Sequence, residues 1–182
     1  MHRQLLLSLL REYQNTEDQA LGDHERAMVS DTITFVEQHP DCFERSLAIG
    51  HVTGSAWIVS PDGQQVVLVH HRKLDRWLQP GGHADGDPDL ANVALREAQE
   101  ETGLTSVRLA SPAIYDVDIH LIPERKEEPA HFHYDIRFKM IANPDESFRH
   151  TPETKDIHWV HLSKIEDYTH EESVIRMVNK KK

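Results

Sequence analysis

The chain has 182 residues, a formal net charge of −11 and a single cysteine. Its length suits one domain with a hydrophobic core plus an appendage. The acidic balance argues against a protein that binds duplex nucleic acid by neutralising its phosphates. It leaves room for a small phosphorylated substrate whose charge a metal ion offsets. One cysteine excludes an intrachain disulfide, which fits a reducing cytoplasm, and we expect Cys42 to be a buried hydrophobe.

Two helices are predicted before the first strand. The first carries the apolar run of residues 5–10, which is too short to span a membrane, so we expect no membrane partner. The second runs from about Asp23 to Gln38 and ends before Pro40. We assign residues 1–46 to an N-terminal helical extension and residues 47–182 to the main domain. The extension is expected to cover the sheet, to enlarge a homodimer interface or to cap the substrate cleft, and the sequence does not choose among these.

A hairpin is predicted next. Residues 47–59 read as a strand, the turn signal Ser-Pro-Asp-Gly follows at residues 60–63, and residues 65–70 form a β-branched run. Strands separated by such a short turn pair in an antiparallel manner. The hairpin would therefore supply the first two strands of the sheet in the main domain.

A short basic patch follows this hairpin. Arg72, Lys73 and Arg76 are predicted to contact substrate phosphates, because charge-assisted hydrogen bonds are strong ligands for phosphate. His83 joins this predicted substrate-binding set. For any single residue of the patch, a solvated loop is the competing interpretation.

Residues 82–104 combine a glycine-rich loop with a helix. Residues 90–101 contain no Gly or Pro, so a helix is expected there. Asp87 is the predicted N-cap, with Pro88 at the first helical position, and Gly103 is the predicted end.

Three carboxylates share one face of this helix. Glu97, Glu100 and Glu101 stand at positions i, i+3 and i+4, where like charges repel one another. Crowded oxygen ligands of this kind are typical of a Mg²⁺ or Mn²⁺ site. A solvated acidic helix face is the alternative.

The spacing of residues 82–104 resembles the Nudix box, G-x5-E-x7-R-E-U-x-E-E-x-G-U, where U is a bulky apolar residue. Residues 77–82 also resemble the strand and turn that precede the box. Ala98 fills the first U position as a small apolar residue. The other matching positions are Gly82, Arg96, Glu97, Glu100, Glu101, Gly103 and Leu104.

The resemblance implies an α+β fold, an α/β/α sandwich with a mixed β-sheet, preceded here by the N-terminal helical extension. It also implies hydrolysis of a pyrophosphate bond in a nucleoside diphosphate linked to another moiety, with Mg²⁺ or Mn²⁺ as cofactor. Glu97, Glu100 and Glu101 are the implied metal ligands, together with a backbone carbonyl at Gly82. One of these glutamates or Glu153 would act as the general base.

One position departs from the box. Pro88 stands where the first Glu is expected, a residue thought to pair with the box arginine, here Arg96. Asp89 lies seven residues before Arg96 and two helical turns away, so it is the predicted replacement. The departure keeps open a non-catalytic module that binds or senses a nucleotide.

A short strand is predicted at residues 107–110, directly after the box helix. Two longer strand-like segments follow it. Residues 113–121 and 131–140 each alternate apolar and polar side chains, as strands with one buried face do. If the two pair, His120 approaches His131 and His133. These histidines are predicted to bind a transition metal, to line the cleft or to lie on a solvated sheet face.

The end of the chain is predicted to form a strand at residues 157–160 and a helix at residues 171–179. The lysine tail from Lys180 is expected to fray. The whole sequence thus predicts a cytoplasmic hydrolase of a small nucleotide derivative. A nucleotide-binding module without catalysis and a metal-storage protein built on the histidines are the alternatives.

Overall fold

A computed structural model of the chain describes residues 2–15, 22–124 and 129–180. None of the helices in these ranges combines the length and apolar character that crossing a membrane requires. The elements in chain order are α1 (Gln4–Gln14), α2 (Asp23–Gln38), β1 (Gly50–Val59), β2 (Gln65–His71), β3 (Arg76–Leu78), β4 (Gly81–His83), α3 (Leu90–Thr102), β5 (Arg108–Ile122), β6 (His131–Ile141), β7 (Thr154–His161), a 3₁₀ helix (Leu162–Asp167) and α4 (Glu172–Asn179).

The seven strands form one mixed sheet with the order β3-β2-β1-β6-β5, in which β4 also pairs with β1 and β7 with β2. Strands β1 and β6 are parallel, and the other pairs are antiparallel. The predicted hairpin forms, but β1 and β2 pair only at Val59 and Val66, next to the turn. Beyond that pair the strands diverge, so β4 occupies the edge of β1 at Thr53–Ser55. The predicted mixed sheet and α+β class are confirmed.

Helices cover both faces of the sheet. Val52, Ala56 and Ile58 of β1 lie in one apolar cluster with residues of α1, α2 and α3. Trp57 and Val59 of the same strand lie in a second cluster with residues of the 3₁₀ helix and α4. Because strand side chains alternate between faces, these two clusters lie on opposite sides of β1.

The N-terminal helices pack directly on the sheet. Phe35 of α2 stacks on Tyr134 of β6, with ring centroids 3.8 Å apart and planes 8° apart. Helix α1 buries an apolar stripe in the same core, formed by Leu6, Leu7, Leu10 and Tyr13. The helices therefore cover the sheet, the first of the three predicted roles. The domain boundary between residues 46 and 47 stays a prediction.

Strand β5 differs from its prediction in two ways. It includes the short strand predicted at residues 107–110, because the chain continues through register shifts near Leu109 and Ile114. Its apolar face is also not buried to the end, since Leu121 is 55% exposed and its partner Phe132 is 43% exposed. The prediction that the apolar face is buried is therefore wrong at the end of the strand pair where Leu121 and Phe132 lie.

The polar face of β5 and β6 is also buried at Asp116, Asp135 and Arg137, contrary to the solvated face that was one expected alternative. Asp116 and Arg137 are almost completely inaccessible. Charged side chains of the last helical turn close over them, including Lys180, which lies 2.6 Å from Asp116 Oδ1. The expectation that Lys180 frays is wrong, because its buried ion pair fixes it, while residues 181–182 lie outside the described ranges. We call this group the closed carboxylate cluster, formed by Asp116, Asp118 and Asp135 with Arg137, Arg176 and Lys180.

Candidate active site

Helix α3 begins two residues later than predicted. Its N-cap is Asp89, whose carboxylate accepts a hydrogen bond from Asn92 N–H at 3.1 Å. Asp87 instead accepts from Asp89 N–H at 2.9 Å, so it shapes the turn before the helix. The predicted end is confirmed, because Gly103 has φ of 74° and donates its N–H to Gln99 O at 2.9 Å. A glycine is favoured there because L residues rarely adopt this conformation.

Strand β4 holds its backbone against the carboxylate face of α3. A Cβ atom added at Gly82 would lie 2.3 Å from Glu97 Oε2, so a larger residue would displace the Glu97 carboxylate. The N–H of the neighbouring Gly81 donates to the carboxylate of Glu101. The two glycines thus fix two of the three predicted metal ligands against the backbone of one short strand.

The carboxylates of this face act on one another electrostatically. Burial, the largest cause, and the charges of Glu97, Glu153 and Glu100 together raise the pKa of Glu101 to about 8. Burial also raises the pKa of Glu97, with Glu100 and Asp85 adding to the shift. The structure therefore brings the four predicted glutamates into one electrostatic group. We call Glu97, Glu100 and Glu101 the box carboxylates.

This group fits a hard divalent cation. Its side chains offer carboxylate oxygens, and Mg²⁺ and Mn²⁺ prefer such ligands, while ligation by the Gly82 carbonyl stays a prediction. Arg96 Nη2 lies 3.3 Å from Glu97 Oε1 and offsets part of the repulsion. One arginine does not balance the group, as the raised pKa of Glu101 shows. A cation at this face would remove the electrostatic cost of ionising Glu101.

Arg96 is not paired with Asp89, so that prediction is wrong. Its Nη1 lies 4.0 Å from Asp87 Oδ2, and its Nη2 donates to the carbonyl of His83 at 3.4 Å. Asp89 is committed to capping the helix and points its carboxylate at the first turn. Asp87 therefore takes the place beside Arg96 that the missing box glutamate leaves.

Arg72 fixes the segment that carries Glu153. Its side chain donates to Pro152 O at 2.9 Å and to Thr154 O at 3.0 Å. Its backbone N–H donates to Glu153 O at 2.9 Å. Three consecutive carbonyls are thereby held by one residue, which positions the loop from which Glu153 acts on Glu101. Substrate binding by Arg72 stays a prediction, and the observed contacts give it a positioning role.

The other predicted substrate-binding residues are spread around this loop. Arg76 Nη1 lies 2.9 Å from Glu171 Oε1 at the start of α4. Lys73 is exposed and makes no polar contact within the described part of the chain. His83 belongs to a group of histidine rings, described next, and its carbonyl accepts from Arg96. None of these contacts tests whether the residues bind substrate.

Histidines of three strands gather on the face of the sheet opposite α3. His51 of β1 is buried, and its ring lies 4.9 Å from that of His83, 5.0 Å from that of His131 and 4.7 Å from that of His133. Burial and neighbouring histidines lower the pKa of His51 to about 4. Burial and neighbouring histidines also lower the pKa of His133 to about 2. Both rings are therefore neutral near pH 7, the form in which imidazole ligates metals.

Pairing of β5 with β6 places His120 opposite His133, as expected. The nitrogens of His51, His131 and His133 lie within 4.8 Å of one another, and His120 is not part of that set. His120 Nδ1 instead lies 3.2 Å from Asp118 Oδ2. Sequence reasoning missed His51, which shares its strand face with Thr53 and Ser55. Only the register of β1 with β6 reveals this neighbourhood.

Comparison with known protein families identifies the family to which this chain belongs. The NUDIX domain family matches residues 51–179, which is more than half of the chain. The chain therefore belongs to the NUDIX family, whose members generally use divalent metal ions. The resemblance seen in residues 82–104 is confirmed.

Individual relatives agree with this assignment. A putative 8-oxo-dGTP diphosphatase of Bacillus subtilis (strain 168) is 32% identical over 65 residues, which cover 36% of this chain and 44% of that protein. The match thus spans less than half of that relative's length. The solved MutT protein of Methanosarcina mazei Go1 aligns with a TM-score of 0.57 and 20% identity, covering 72% of this chain and 92% of that one.

A solved UDP-X diphosphatase aligns with a TM-score of 0.52 and 16% identity. It covers 96% of this chain and 89% of that one, so the likeness in fold extends beyond the region matched by the family. At these identities the structural alignments show the fold alone.

Proposed function

We propose that this protein is a metal-dependent hydrolase that cleaves a pyrophosphate bond in a nucleoside diphosphate derivative. The observation that carries the proposal is the electrostatic group formed by the box carboxylates and Glu153, in which the pKa of Glu101 rises to about 8. Glu97, Glu100, Glu101 and the backbone at Gly82 would hold Mg²⁺ or Mn²⁺. When bound, such an ion neutralises phosphate charge and lowers the pKa of a ligating water.

The chain's own residues have separable tasks in this proposal. Gly81 N–H orients the Glu101 carboxylate, and Arg96 holds Glu97 in place. Glu153 is exposed on a loop fixed by Arg72, where it can accept a proton from an attacking water. The box carboxylates repel a bare phosphate, so substrate binding depends on the cation.

Relatives narrow the substrate to a chemical class. Two of the similar proteins are named for 8-oxo-dGTP and UDP-X, which share a nucleoside joined to a phosphoanhydride. Carried over to this chain, they support a small nucleotide derivative as the substrate. A homodimer and a cytoplasmic location remain part of the proposal, the latter because Cys42 is a buried free thiol.

The decisive experiment is a product assay. Untagged protein is incubated with 8-oxo-dGTP, nucleoside triphosphates, ADP-ribose and UDP-sugars, each with Mg²⁺, Mn²⁺ or EDTA, and phosphate-containing products are quantified. We expect turnover of at least one compound with metal and none with EDTA. Silence across the panel with tight binding of one compound would favour the nucleotide-sensing module that Pro88 suggests.

The role of Glu153 has its own test. Glu153→Gln is expected to lower kcat about 100-fold, the scale of a lost general base, with KM nearly unchanged. The matched control is Glu166→Gln, which changes an exposed glutamate on the 3₁₀ helix. Equal activities of the two variants would remove Glu153 from the mechanism.

A further inference from the structure

His51 is the most unusual polar side chain outside the box. It is 3% exposed, and both its ring nitrogens are buried without a hydrogen-bond partner among the described residues. Leaving a buried donor or acceptor unsatisfied is energetically unfavourable, because the group loses its hydrogen bonds to water without replacement. Native structures seldom retain such groups without a ligand or a functional reason. The part of the chain that the structure describes supplies no such partner for the His51 ring, so a bound ligand is the group that would satisfy it.

Two of the neighbouring imidazoles have the spacing of metal ligands, and a nitrogen of the third lies within 4.8 Å of them. His131 Nε2 and His133 Nε2 are 3.2 Å apart, and His51 places a nitrogen within 4.8 Å of both. Two nitrogens bound tetrahedrally to zinc at about 2.0–2.1 Å lie about 3.3–3.4 Å apart. The observed separation of His131 and His133 is close to that value.

The tautomer of His131 also suits a ligand. Its Nδ1 lies 2.9 Å from the carbonyl oxygen of Pro129, and a carbonyl can only accept a hydrogen bond. Nδ1 therefore carries the proton, which leaves the Nε2 lone pair directed at His133. A backbone carbonyl that fixes the ring in this way is a typical outer partner of a metal-bound histidine.

The ligands lie on rigid elements. His51 and His133 are register partners on the parallel strands β1 and β6, and His131 lies two residues before His133 on the same side of β6. Strand backbone holds their positions without help from an ion. The site is therefore preformed, and binding does not have to order a loop.

We propose that His51, His131 and His133 bind a first-row transition ion, with Zn²⁺ the best fit and water in the fourth position. Three imidazoles with an open position are a common zinc arrangement. This nitrogen site is distinct from the oxygen site of the box carboxylates, because imidazole suits zinc whereas carboxylates suit Mg²⁺ and Mn²⁺. It goes beyond the proposed hydrolase, since the transition ion binds whether or not a phosphoanhydride is cleaved.

The test uses full-length protein without an affinity tag, stripped with EDTA and titrated with Zn²⁺ against a chromophoric chelator. We expect one equivalent of tight binding. His51→Ala and His133→Ala should weaken it by more than the roughly 10–100-fold that loss of an outer partner costs. The matched control is His24→Ala, which removes an exposed histidine of α2. Equal affinity in all four proteins, or no binding by the wild type, would overturn the site.

A second measurement needs no variant, so a misfolded mutant cannot leave the proposal undecided. Co²⁺ added to the stripped wild type should give the intense visible bands of a four-coordinate ion, and Zn²⁺ should abolish them. The weak spectrum of six-coordinate Co²⁺ would overturn the proposal. Mg²⁺-dependent hydrolysis is measured in parallel, so failure of the histidine site and failure of the hydrolase are read separately.

Discussion

Two groups of carboxylates in this protein are in opposite electrostatic states. Two of the box carboxylates, Glu97 and Glu101, have raised pKa values, because burial and repulsion from neighbouring carboxylates disfavour their charged forms. In the closed carboxylate cluster burial also opposes ionisation, yet Arg176, Arg137 and Lys180 more than offset it and lower the pKa of Asp116. The pKa of Asp118 is lowered in the same way, by His120 and the two arginines.

The difference shows what each group is built for. The closed cluster supplies its own cations, so its charges are satisfied and it ties β5 and β6 to α4. The box carboxylates have more acidic than basic neighbours, so their negative charge is balanced only when a cation binds. Stored repulsion of this kind costs stability and is expected at a binding site rather than in a structural core.

The largest expected effect breaks the closed cluster. Arg137→Met leaves Asp116 and Asp135 without a principal partner in a buried place, and loss of one member of a buried pair costs about 3–5 kcal/mol of the free energy of unfolding. Urea denaturation measures the loss. The control Arg11→Met removes a half-exposed ion pair and should cost less than about 1 kcal/mol. Similar losses for the two variants would show that the cluster is not structural.

The second effect tests the box group as a catalytic centre. Glu101→Gln keeps the shape of the side chain and the hydrogen bond from Gly81 but removes the negative charge, so it should fold and lose at least about 100-fold in turnover. Turnover of the best substrate of the panel is measured against Glu37→Gln, which alters an exposed glutamate of α2. Near-wild-type activity of Glu101→Gln would refute the assignment.

The third effect is a dependence of stability on pH in the metal-free protein. The folded pKa of Glu101, about 8, lies above the pKa of 4.5 for a free glutamate. Between these values the folded state binds more protons than the unfolded state, so the free energy of unfolding falls as pH rises. Below pH 4 Glu101 is protonated in both states, so it does not lower the stability there. Glu101→Gln should therefore raise Tm relative to wild type at pH 8 and match it at pH 4. Parallel Tm curves across this range would contradict the raised pKa.

The smallest effect concerns the start of α3. Asp89→Ala removes the N-cap hydrogen bond to Asn92 and should cost about 1 kcal/mol of stability in urea denaturation. Asp89→Ser keeps an acceptor and should retain most of it. If both variants were equally stable, the capping role of Asp89 would be wrong, and the loop before the helix would need another anchor.

Much of the site could be read from the sequence because it is local. The box spacing, the shared face of Glu97, Glu100 and Glu101, and the end of the helix at Gly103 depend on residues within two helical turns. The sequence does not show which of two similar neighbouring residues makes a given contact. Asp87 and Asp89 are both acidic and near the helix start, and only the backbone path decided that Asp89 caps while Asp87 faces Arg96.

The spacing of the box motif was enough to identify the family, and local periodicity was enough to predict the helices α1 to α4 and the alternation of β5 and β6, since helix and strand faces repeat within a few residues. That the polar face of β5 and β6 is buried, and which histidines lie close together, became known only from the tertiary structure. His51 reaches His133 and Lys180 reaches Asp116 through strand register and helix docking. Contacts between residues so far apart in the chain leave no periodic trace, because they depend on how whole elements pack.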